Sequence, residues 1–427
     1  MDLSIKGKIY INGMLEQCCI GMENGKIKKI KKILKTEDHI DFGNKLILPA
    51  GIDAHVHFRD PGLTHKEDFY TGSLAAAFGG ISSVFDMPNT IPPTTTIQSL
   101  NNKIISFEKK SVVDFGLYAG VTNDNLEKIA NLSKKCNGFK IYLGNTTGSL
   151  LFYDKNLKSA LTEIGLTGKP VLFHAEDEEC LIQNKSQETN LTDHLRFRPS
   201  RCEEISIKKI LDASTGLDYK IHICHVSSCE GLELLKNRFR NISFGITPHH
   251  SLLSTDKELV TPRFYKVNPP IRTSFDKESL FNSLKNGTAD IIESDHAPHT
   301  KEEKGVGFEE APSGVPGVET MYPIFLYLAK KERIPFQRLV SLLCNRPAEL
   351  LNIPKGKIQV GYDADFIIIN LKNESKIKGE NLHSKCGWTP FEDWPAIFPE
   401  AVFIRGEKVI DDYEIQVKQG FGKFVGA

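Results

Sequence analysis

Two histidines in one short segment, His55 and His57, are the residues of this sequence that point most directly to chemistry. Side chains of a β-strand point alternately to opposite faces, so residues two apart share a face and can reach one ion together. The apolar run at residues 46–52 and the Gly and Pro residues that follow indicate a buried strand ending in a loop. Since a lone His-x-His pair also occurs in cores and on surfaces, the metal interpretation needs support from elsewhere in the chain.

Further metal-binding residue types recur where other strands are predicted. Lys140 lies in the fourth predicted strand, His174 ends the fifth, His225 ends the sixth, and Asp295 follows the eighth. Taken singly, each histidine could fill a core position and Asp295 could cap a turn. Because the histidines and Asp295 fall at the carboxyl ends of predicted parallel strands, with Lys140 within one of these strands, they jointly predict one metal site.

Two of these positions involve a choice. His222 and His225 are three residues apart on one strand, so they face opposite ways and only one can enter the site. We expect His225 to enter, since it is nearer the strand's carboxyl end, and His222 to pack or to face outward. Lys140 would be repelled by metal ions as an ammonium. It either snorkels out of the sheet or is converted by CO₂ into an anionic carbamate whose oxygens could bridge two divalent ions.

The elements that must position these residues alternate between short apolar runs and amphipathic stretches from about residue 50 to residue 350. Helical patterns separate most of the strands, the clearest being residues 201–213 with an apolar stripe. Eight such units predict an α/β fold, the (β/α)₈ TIM barrel, with its chemistry at the carboxyl ends of the strands. The predicted strands are 52–58, 81–87, 112–118, 139–143, 170–174, 220–226, 242–247 and 290–294.

The two chain ends differ from this middle part, because they hold short strand-like runs broken by Gly and Asn. We expect residues 1–49 and 355–427 to pair as one small β-sandwich domain, with residues 50–354 forming the barrel.

Composition excludes several classes of protein. Lys plus Arg and Asp plus Glu number 54 each, so the basic footprint of a nucleic-acid binder is absent. The cationic run at residues 26–32 alternates with isoleucines and is best interpreted as a solvated strand edge. Without a signal-peptide pattern or an apolar run of membrane-spanning length, we expect a cytoplasmic protein with no membrane partner. The nine cysteines form no CxxC pair, so reduced, mostly structural thiols are expected.

Several motifs together resemble class I dihydroorotase, a family of the amidohydrolase superfamily. They are residues 55–62 (HVHFRDPG), 86–90 (DMPNT), 268–272 (NPPIR), 294–299 (SDHAPH) and 385–391 (KCGWTPF). The resemblance covers nearly the whole chain. It implies that His55, His57 and Asp295 hold one divalent ion, that His174 and His225 hold another, and that a carbamylated Lys140 bridges the two. Some class I members carry an aspartate at the bridge, but the Phe139-Lys140 pair matches the lysine type. The ligands suit Zn²⁺, which we expect, but also cobalt or manganese.

Dihydroorotase interconverts N-carbamoyl-L-aspartate and L-dihydroorotate plus water in the de novo synthesis of UMP. The resemblance implies that hydroxide held between the metals attacks the ring amide, with Asp295 as the general acid and base. The rigid guanidinium of Arg59 suits the substrate carboxylate, although Arg59 could instead pair with Asp60 or Glu67 at the surface. The remaining substrate-binding residues implied are Asn89, Asn268 and His299.

Alternatives remain open from the sequence alone. Allantoinase and dihydropyrimidinase would share the metal ligands but act on uncharged rings, without Arg59 in this setting. A catalytically silent partner of aspartate transcarbamoylase would normally have lost ligands, whereas an active chain could still associate with that enzyme. A homodimer is the commonest arrangement for such enzymes. The polar segment at residues 144–149 could close over the site or be an ordinary loop.

Overall fold

The computed structural model describes residues 1–34, 36, 38–145, 150–256, 259 and 261–426. The N-terminal part forms four strands, in which β1 pairs antiparallel with β2 and parallel with β4. β3 lies at the edge of the sheet with Lys28 and Lys29 exposed, which confirms the solvated edge expected for the cationic run. The strands are β1 (Leu3–Ile11), β2 (Met14–Glu23), β3 (Lys26–Lys31) and β4 (Asp38–Pro49).

The next eight strands pair in parallel, each with the following one in the chain, which is the strand order of a TIM barrel. A parallel bridge between Val56 and His296 brings the first and last strands together, so the barrel is nearly closed. Each strand overlaps one predicted from the sequence. They are β5 (Gly51–Val56), β6 (Ile81–Asp86), β7 (Asp114–Gly120), β8 (Gly138–Tyr142), β9 (Val171–His174), β10 (Ile221–Ile223), β11 (Ile242–Ile246) and β12 (Ile291–Ile292).

Helices occupy the connections between these strands. The helix predicted over residues 201–213 is confirmed as α7, which buries Ile207 and Ile210. The helices are α1 (Phe69–Phe78), α2 (Ile97–Glu108), α3 (Ile129–Leu132), α4 (Leu157–Gly165), α5 (Glu178–Gln183), α6 (Leu191–Phe197), α7 (Ser200–Ala213), α8 (Cys229–Leu235), α9 (Pro248–Leu252), α10 (Ser274–Asn286), α11 (Lys301–Lys304), α12 (Val318–Lys330), α13 (Phe336–Val340) and α14 (Arg346–Leu351).

The C-terminal part returns to the N-terminal strands. β13 pairs antiparallel with β4, so strands from both chain ends form one eight-stranded sheet in the order β18-β17-β16-β13-β4-β1-β2-β3. The sheet has its own apolar cluster, which includes Ile5, Ile20 and Phe366. The fold class is thus confirmed, and the division of the chain after residues 49 and 354 stays a prediction. The strands are β13 (Phe366–Ile369), β14 (Ser375–Lys376), β15 (Pro395–Ala396), β16 (Ala401–Ile404), β17 (Glu407–Asp411) and β18 (Glu414–Ile415).

One expectation about the cysteines is wrong. Cys180 in α5 and Cys202 in α7 form a disulfide, with Cα atoms 5.4 Å apart. The fold brings these two helices together, which a spacing of 22 residues without a CxxC motif does not reveal. The other seven cysteines are free thiols, and six of them are buried. Within the described residues, no helix combines the length and apolarity needed to cross a membrane.

Candidate metal centre

Three predicted metal ligands meet at the carboxyl ends of the first and last barrel strands. His55 is in β5, His57 follows it, and Asp295 follows β12. The Nε2 atoms of His55 and His57 are 3.2 Å apart, and Asp295 Oδ1 lies 3.3 Å and 3.0 Å from them. Two ligands of one tetrahedral zinc ion are about 3.3 Å apart, given bonds of about 2.0–2.1 Å. The three donor atoms therefore have the spacing of ligands that share an ion.

A second pair of histidines lies beside this group. His174 ends β9 and His225 follows β10, and their Nδ1 and Nε2 atoms face each other at 3.2 Å. The rings of His225 and His55 have centroids 5.2 Å apart, so the pair adjoins the first group. The predicted choice of His225 over His222 agrees with this arrangement, because His222 packs behind it, with its Nδ1 2.9 Å from Ser243 Oγ and its Nε2 3.5 Å from Glu293 Oε2.

Strained backbone accompanies these positions. Arg59, His225 and Asp295 have φ angles of 60°, 39° and 45°, in the left-handed region that residues other than glycine seldom adopt. Such strain is stored where surrounding structure holds a functional side chain in place. Each of the three lies two or three residues beyond the end of a barrel strand, so the chain turns sharply just after these strands.

Hydrogen bonds fix the outer nitrogens of two histidines. His57 Nδ1 lies 2.6 Å from Asn89 Oδ1, and His174 Nε2 lies 2.8 Å from Glu176 Oε2. Glu176 is in turn held by the guanidinium of Arg198. Partners of this kind determine which ring nitrogen carries the proton, and so leave His57 Nε2 and His174 Nδ1 unprotonated and available as ligands.

Burial and neighbouring charges determine the protonation states of the predicted metal ligands. Burial, followed by the nearby Lys140, lowers the pKa of His55 to about 4. Burial also lowers the pKa of His174 and brings that of His225 well below its usual value. Burial would raise the pKa of Asp295, but the neighbouring His55 and His57 hold it well below its usual value. Neutral imidazoles and an ionised carboxylate are the forms that bind divalent metals.

Lys140 is fully buried in β8, so it does not snorkel out of the sheet. Its Nζ donates to Cys224 Sγ at 3.1 Å and lies 5.2 Å from the centre of the Tyr142 ring. The amine is thus inside the barrel near the histidines. Carbamylation of Lys140 stays a prediction.

Arg59 is buried beside the centre rather than paired at the surface. Its Nε donates to the Pro298 carbonyl at 3.3 Å, and its Nη2 lies 3.1 Å from His299 Nε2. The two expected surface partners are engaged elsewhere, since Asp60 pairs with Lys110 and Glu67 contacts Ser384. Arg59 forms no ion pair with any carboxylate in the part of the chain that the structure describes.

The protonation of His299 follows from its neighbours. Lys66 Nζ, which can only donate, lies 3.1 Å from His299 Nδ1. Burial lowers the pKa of His299 well below its usual value, so the ring is neutral and carries its proton on Nε2. That proton is directed at the Ser313 carbonyl, 3.1 Å away. With Nε2 protonated, His299 offers Arg59 Nη2 no acceptor, so the guanidinium can donate to a negatively charged oxygen at this place.

Most of the predicted site residues line one cavity. Eight of the ten predicted residues line it, and Lys140 and His299 lie just behind its wall. Asn268 contributes an Oδ1 atom that is buried without a hydrogen-bond partner among the described residues. The lining residues are His55, His57, Arg59, Asn89, Tyr142, His174, His225, Asn268, Asp295, Ala297, Ser313 and Gly314.

The sequence interpretation missed several residues of this region. Tyr142 lines the cavity, and its position two residues after Lys140 on one strand face could have indicated this. Glu176 follows His174 by two residues, a comparable signal. The backbone of Ser313 and Gly314 carried no signal in the sequence. Of the segment at 144–149, residues 146–149 lie outside the described residues.

Comparison with known proteins shows which family the chain belongs to. The model of the amidohydrolase family matches residues 46–409. The chain belongs to the amidohydrolase family. It is 40% identical to the dihydroorotase of Methanosarcina mazei over 99% of this chain and 97% of that protein. It is 39% identical to the dihydroorotase of Thermoplasma acidophilum over 100% of this chain and 98% of that one.

Solved structures of amidohydrolase relatives share the whole architecture. The L-hydantoinase (dihydropyrimidinase) of Arthrobacter aurescens superposes with a TM-score of 0.95 at 29% identity, covering 100% of both chains. The resemblance drawn from the motifs is therefore confirmed at the level of the family. The sequence relatives named above are dihydroorotases and this structural neighbour is a hydantoinase, so the substrate must be argued from the site.

Proposed function

We propose that this protein is a dihydroorotase, which interconverts N-carbamoyl-L-aspartate and L-dihydroorotate plus water in pyrimidine biosynthesis. One observation supports dihydroorotate over an uncharged ring as the substrate. Arg59 is a buried guanidinium that lines the same cavity as the histidine cluster and has no carboxylate partner among the described residues. A buried charge without a partner is costly, so a site that retains one is suited to an anionic ligand.

The carboxylate of dihydroorotate supplies that anion. Arg59 Nη2 would donate to it, and His299, whose Nε2 lies 3.1 Å from Nη2, and Asn89 on the same cavity wall would assist. The buried Asn268 Oδ1 would accept from a ring N–H of the substrate. Hydantoin and dihydropyrimidine rings carry no carboxylate, so they would leave the Arg59 charge unpaired.

The donor set fits two divalent metal ions. We propose that His55, His57 and Asp295 hold one ion, that His174 and His225 hold the other, and that a carbamate on Lys140 bridges them. Zn²⁺ suits these nitrogen and oxygen ligands, although cobalt and manganese suit them too. When bound, such ions acidify a water molecule and polarise the amide carbonyl.

Asp295 moves the proton in this proposal. In ring opening its carboxylate takes the proton from the attacking water and passes it to the leaving ring nitrogen. In ring closure the protonated acid assists departure of water from the substrate carboxyl. The low pKa of Asp295 favours the ionised form that ring opening requires.

Three finer points belong to this proposal. A homodimer is expected from the prevalence of two-fold assemblies among enzymes. Association with aspartate transcarbamoylase would be compatible with activity, and the complete ligand set argues against a silent partner. A cytoplasmic location is also proposed.

Substrate turnover tests the proposal directly. Purified protein loaded with Zn²⁺ would be assayed for ring opening of L-dihydroorotate, dihydrouracil, hydantoin and allantoin, with a chelator-treated sample in parallel. We expect turnover of dihydroorotate alone, lost on chelation and restored by metal. Arg59→Gln should lower kcat/KM for dihydroorotate by about 10²–10³-fold, since it removes a buried charged hydrogen-bond donor pair worth about 3–4 kcal/mol.

Matched controls separate the possible failures. Arg196→Gln changes an exposed arginine on α6 and should leave turnover unchanged. Turnover of a neutral ring that does not respond to Arg59→Gln would refute the assignment of the substrate while retaining the metal centre. Metal-loaded, folded protein that turns over none of the four rings would instead favour the silent-partner alternative.

A further inference from the structure

A buried lysine lies behind the side of the cavity that faces away from the histidine cluster's strands. Lys304 ends the helix α11, and its side chain is fully buried. Its Nζ donates to the carbonyl oxygens of Lys266, Pro312 and Gly314 at 3.2, 2.8 and 3.2 Å. An ammonium group has three N–H donors, so these acceptors use all of them. One side chain thus joins two segments that are distant in the chain.

The two segments that Lys304 joins both form walls of the cavity. Asn268 follows Lys266 by two residues, and it lines the cavity with an Oδ1 atom that has no hydrogen-bond partner among the described residues. Ser313 and Gly314 line the cavity too. A backbone hydrogen bond of 2.9 Å from Gly314 N–H to the Lys266 carbonyl completes the junction. Lys304 therefore lies where the Asn268 wall meets the Ser313–Gly314 wall.

The charge of Lys304 has no carboxylate partner among the described residues. It is stabilised by the three carbonyl dipoles and by the Trp388 ring, whose centre is 5.8 Å from Nζ. The charged groups that act on it are Lys266 and Arg59, both cationic, and burial together with these cations lowers the pKa of Lys304 to about 7. A residue that only filled this space would be less costly without a charge, so the ammonium suits a site that receives an anion.

We propose that Lys304 is a positioning residue for dihydroorotate, whose ammonium holds the Asn268 wall and the Ser313–Gly314 wall at the separation that the substrate ring requires. This inference rests on the proposed function, because it assigns a residue to the same substrate. Lys304 lies behind the lining of the cavity and does not bind the substrate itself. It contacts none of the proposed metal ligands, so its loss should weaken substrate binding while leaving the metal centre and the chemical step in place.

Steady-state kinetics of zinc-loaded variants tests this role. Lys304→Met removes all three hydrogen bonds, and Lys304→Gln removes the charge but keeps two N–H donors. We expect both variants to raise KM for L-dihydroorotate about tenfold or more and to change kcat less than about threefold, because interactions made equally in the bound state and the transition state act on KM. Metal content should equal that of the wild type. Lys301→Met is the matched control, since Lys301 is exposed on the same helix, and its KM should not change.

The wild-type protein offers a second measurement that does not depend on whether the variants fold. Because the pKa of Lys304 is about 7, most of the ammonium becomes a neutral amine as the pH rises from 7 to 9, and one of its three donors is lost. The wild-type KM should therefore rise about threefold or more over this range, whereas the KM of Lys304→Gln should stay level.

Three outcomes would count against this role. A lower unfolding midpoint with an unchanged KM in Lys304→Met and Lys304→Gln would overturn the proposal, because a lysine that only stabilises the fold would behave in this way. A wild-type KM that stays level from pH 7 to pH 9 would also overturn it. Wild-type protein that does not turn over dihydroorotate would refute the proposed function and this inference with it, so the two failures are distinguishable.

Discussion

Glu176 Oε2 lies 2.8 Å from His174 Nε2, and both side chains are buried at the carboxyl end of β9. Arg198 holds the same carboxylate through Nη2 at 2.6 Å. Burial would raise the pKa of Glu176, but Arg198 and His174 hold it far below its usual value, so the group is a carboxylate. It therefore accepts the Nε2 proton of His174 and leaves Nδ1 directed at His225.

Glu176→Gln should weaken metal binding. The amide can still accept a hydrogen bond, but it loses the charge that fixes the His174 proton and pairs with Arg198. Removing such a partner typically costs 10–100-fold in metal affinity. Chelator competition would measure the loss, and excess metal should restore turnover. The exposed Glu163 gives a control as Glu163→Gln. Unchanged affinity in Glu176→Gln would show that Glu176 serves only to hold Arg198.

The role of Asp295 predicts different pH responses for the two directions of the reaction. Ring closure requires the protonated acid, whose population grows as the pH falls, so its rate should rise at mildly acidic pH. Ring opening requires the carboxylate, which the low pKa of Asp295 keeps ionised throughout this range, so its rate should not rise there. Initial rates of both directions across that range would show this. Asp295→Asn should lower kcat about 10²–10⁴-fold in both directions. Superimposable profiles for the two directions would contradict the role given to Asp295.

We expect the buried His250 to make the stability of the metal-free protein depend on pH. Burial lowers the pKa of His250 to about 4, whereas an ordinary histidine titrates at 6.5. Between these values the unfolded chain takes up a proton that the folded ring does not. The stability from this histidine is therefore complete above pH 6.5 and is lost as the pH falls towards 4, by at most about 3 kcal/mol.

Urea unfolding of the metal-free protein at pH 7 and pH 5 would measure this effect. His250→Gln should lose less stability than the wild type between the two pH values, because glutamine does not titrate. His65→Gln, which changes an exposed histidine, should lose as much as the wild type. Equal losses in all three proteins would mean that His250 makes no contribution.

Local patterns made much of the fold and the site predictable. The barrel strands are buried apolar runs, and His55, His57, His174 and His225 lie at strand ends that a parallel barrel must gather at one edge. Side-chain alternation required a choice between His222 and His225, and nearness to the strand's carboxyl end favoured His225. These inferences need only neighbours in the chain and the strand order.

Contacts between distant segments could not be predicted in this way. Arg59 meets His299 across 240 residues, and Glu293 approaches His55 from the opposite end of the barrel sequence. The Cys180–Cys202 disulfide depends on how α5 and α7 pack. In each case the sequence contains many residues of the same type as the observed partner. Only the packing of the folded chain decides which of them makes the contact.

Lys355 connects the barrel to the terminal sheet. Its buried ammonium lies 2.7 Å from Asp114 and Asp365 and 2.9 Å from Asp363. The three carboxylates could be mistaken for a metal site, but the lysine supplies their positive charge. Lys355→Met should destabilise the protein by about 3–5 kcal/mol, because it leaves buried carboxylates without their partner.

Equilibrium unfolding in urea would measure the effect of Lys355→Met. Lys357→Met offers a control, since Lys357 pairs with Glu349 at the surface and should cost no more than about 1 kcal/mol. Comparable losses in the two variants would argue that the Lys355 cluster does not hold the two parts of the fold together.

We expect a side chain at position Gly314 to impair substrate binding without affecting metal binding. Its φ angle is +144°, and a Cβ atom there would lie 2.4 Å from the Ala297 carbonyl oxygen and 3.0 Å from His299 Nε2. Gly314→Ala should therefore displace this wall of the cavity and disturb His299, lowering kcat/KM for dihydroorotate at least tenfold, or about 1.4 kcal/mol. Metal content should not change, because the proposed ligands lie on other strand ends. Gly307→Ala is the control, since its new Cβ would meet only the mobile end of Glu310. Loss of metal in Gly314→Ala would show that this segment supports the centre itself and does not act on the substrate alone.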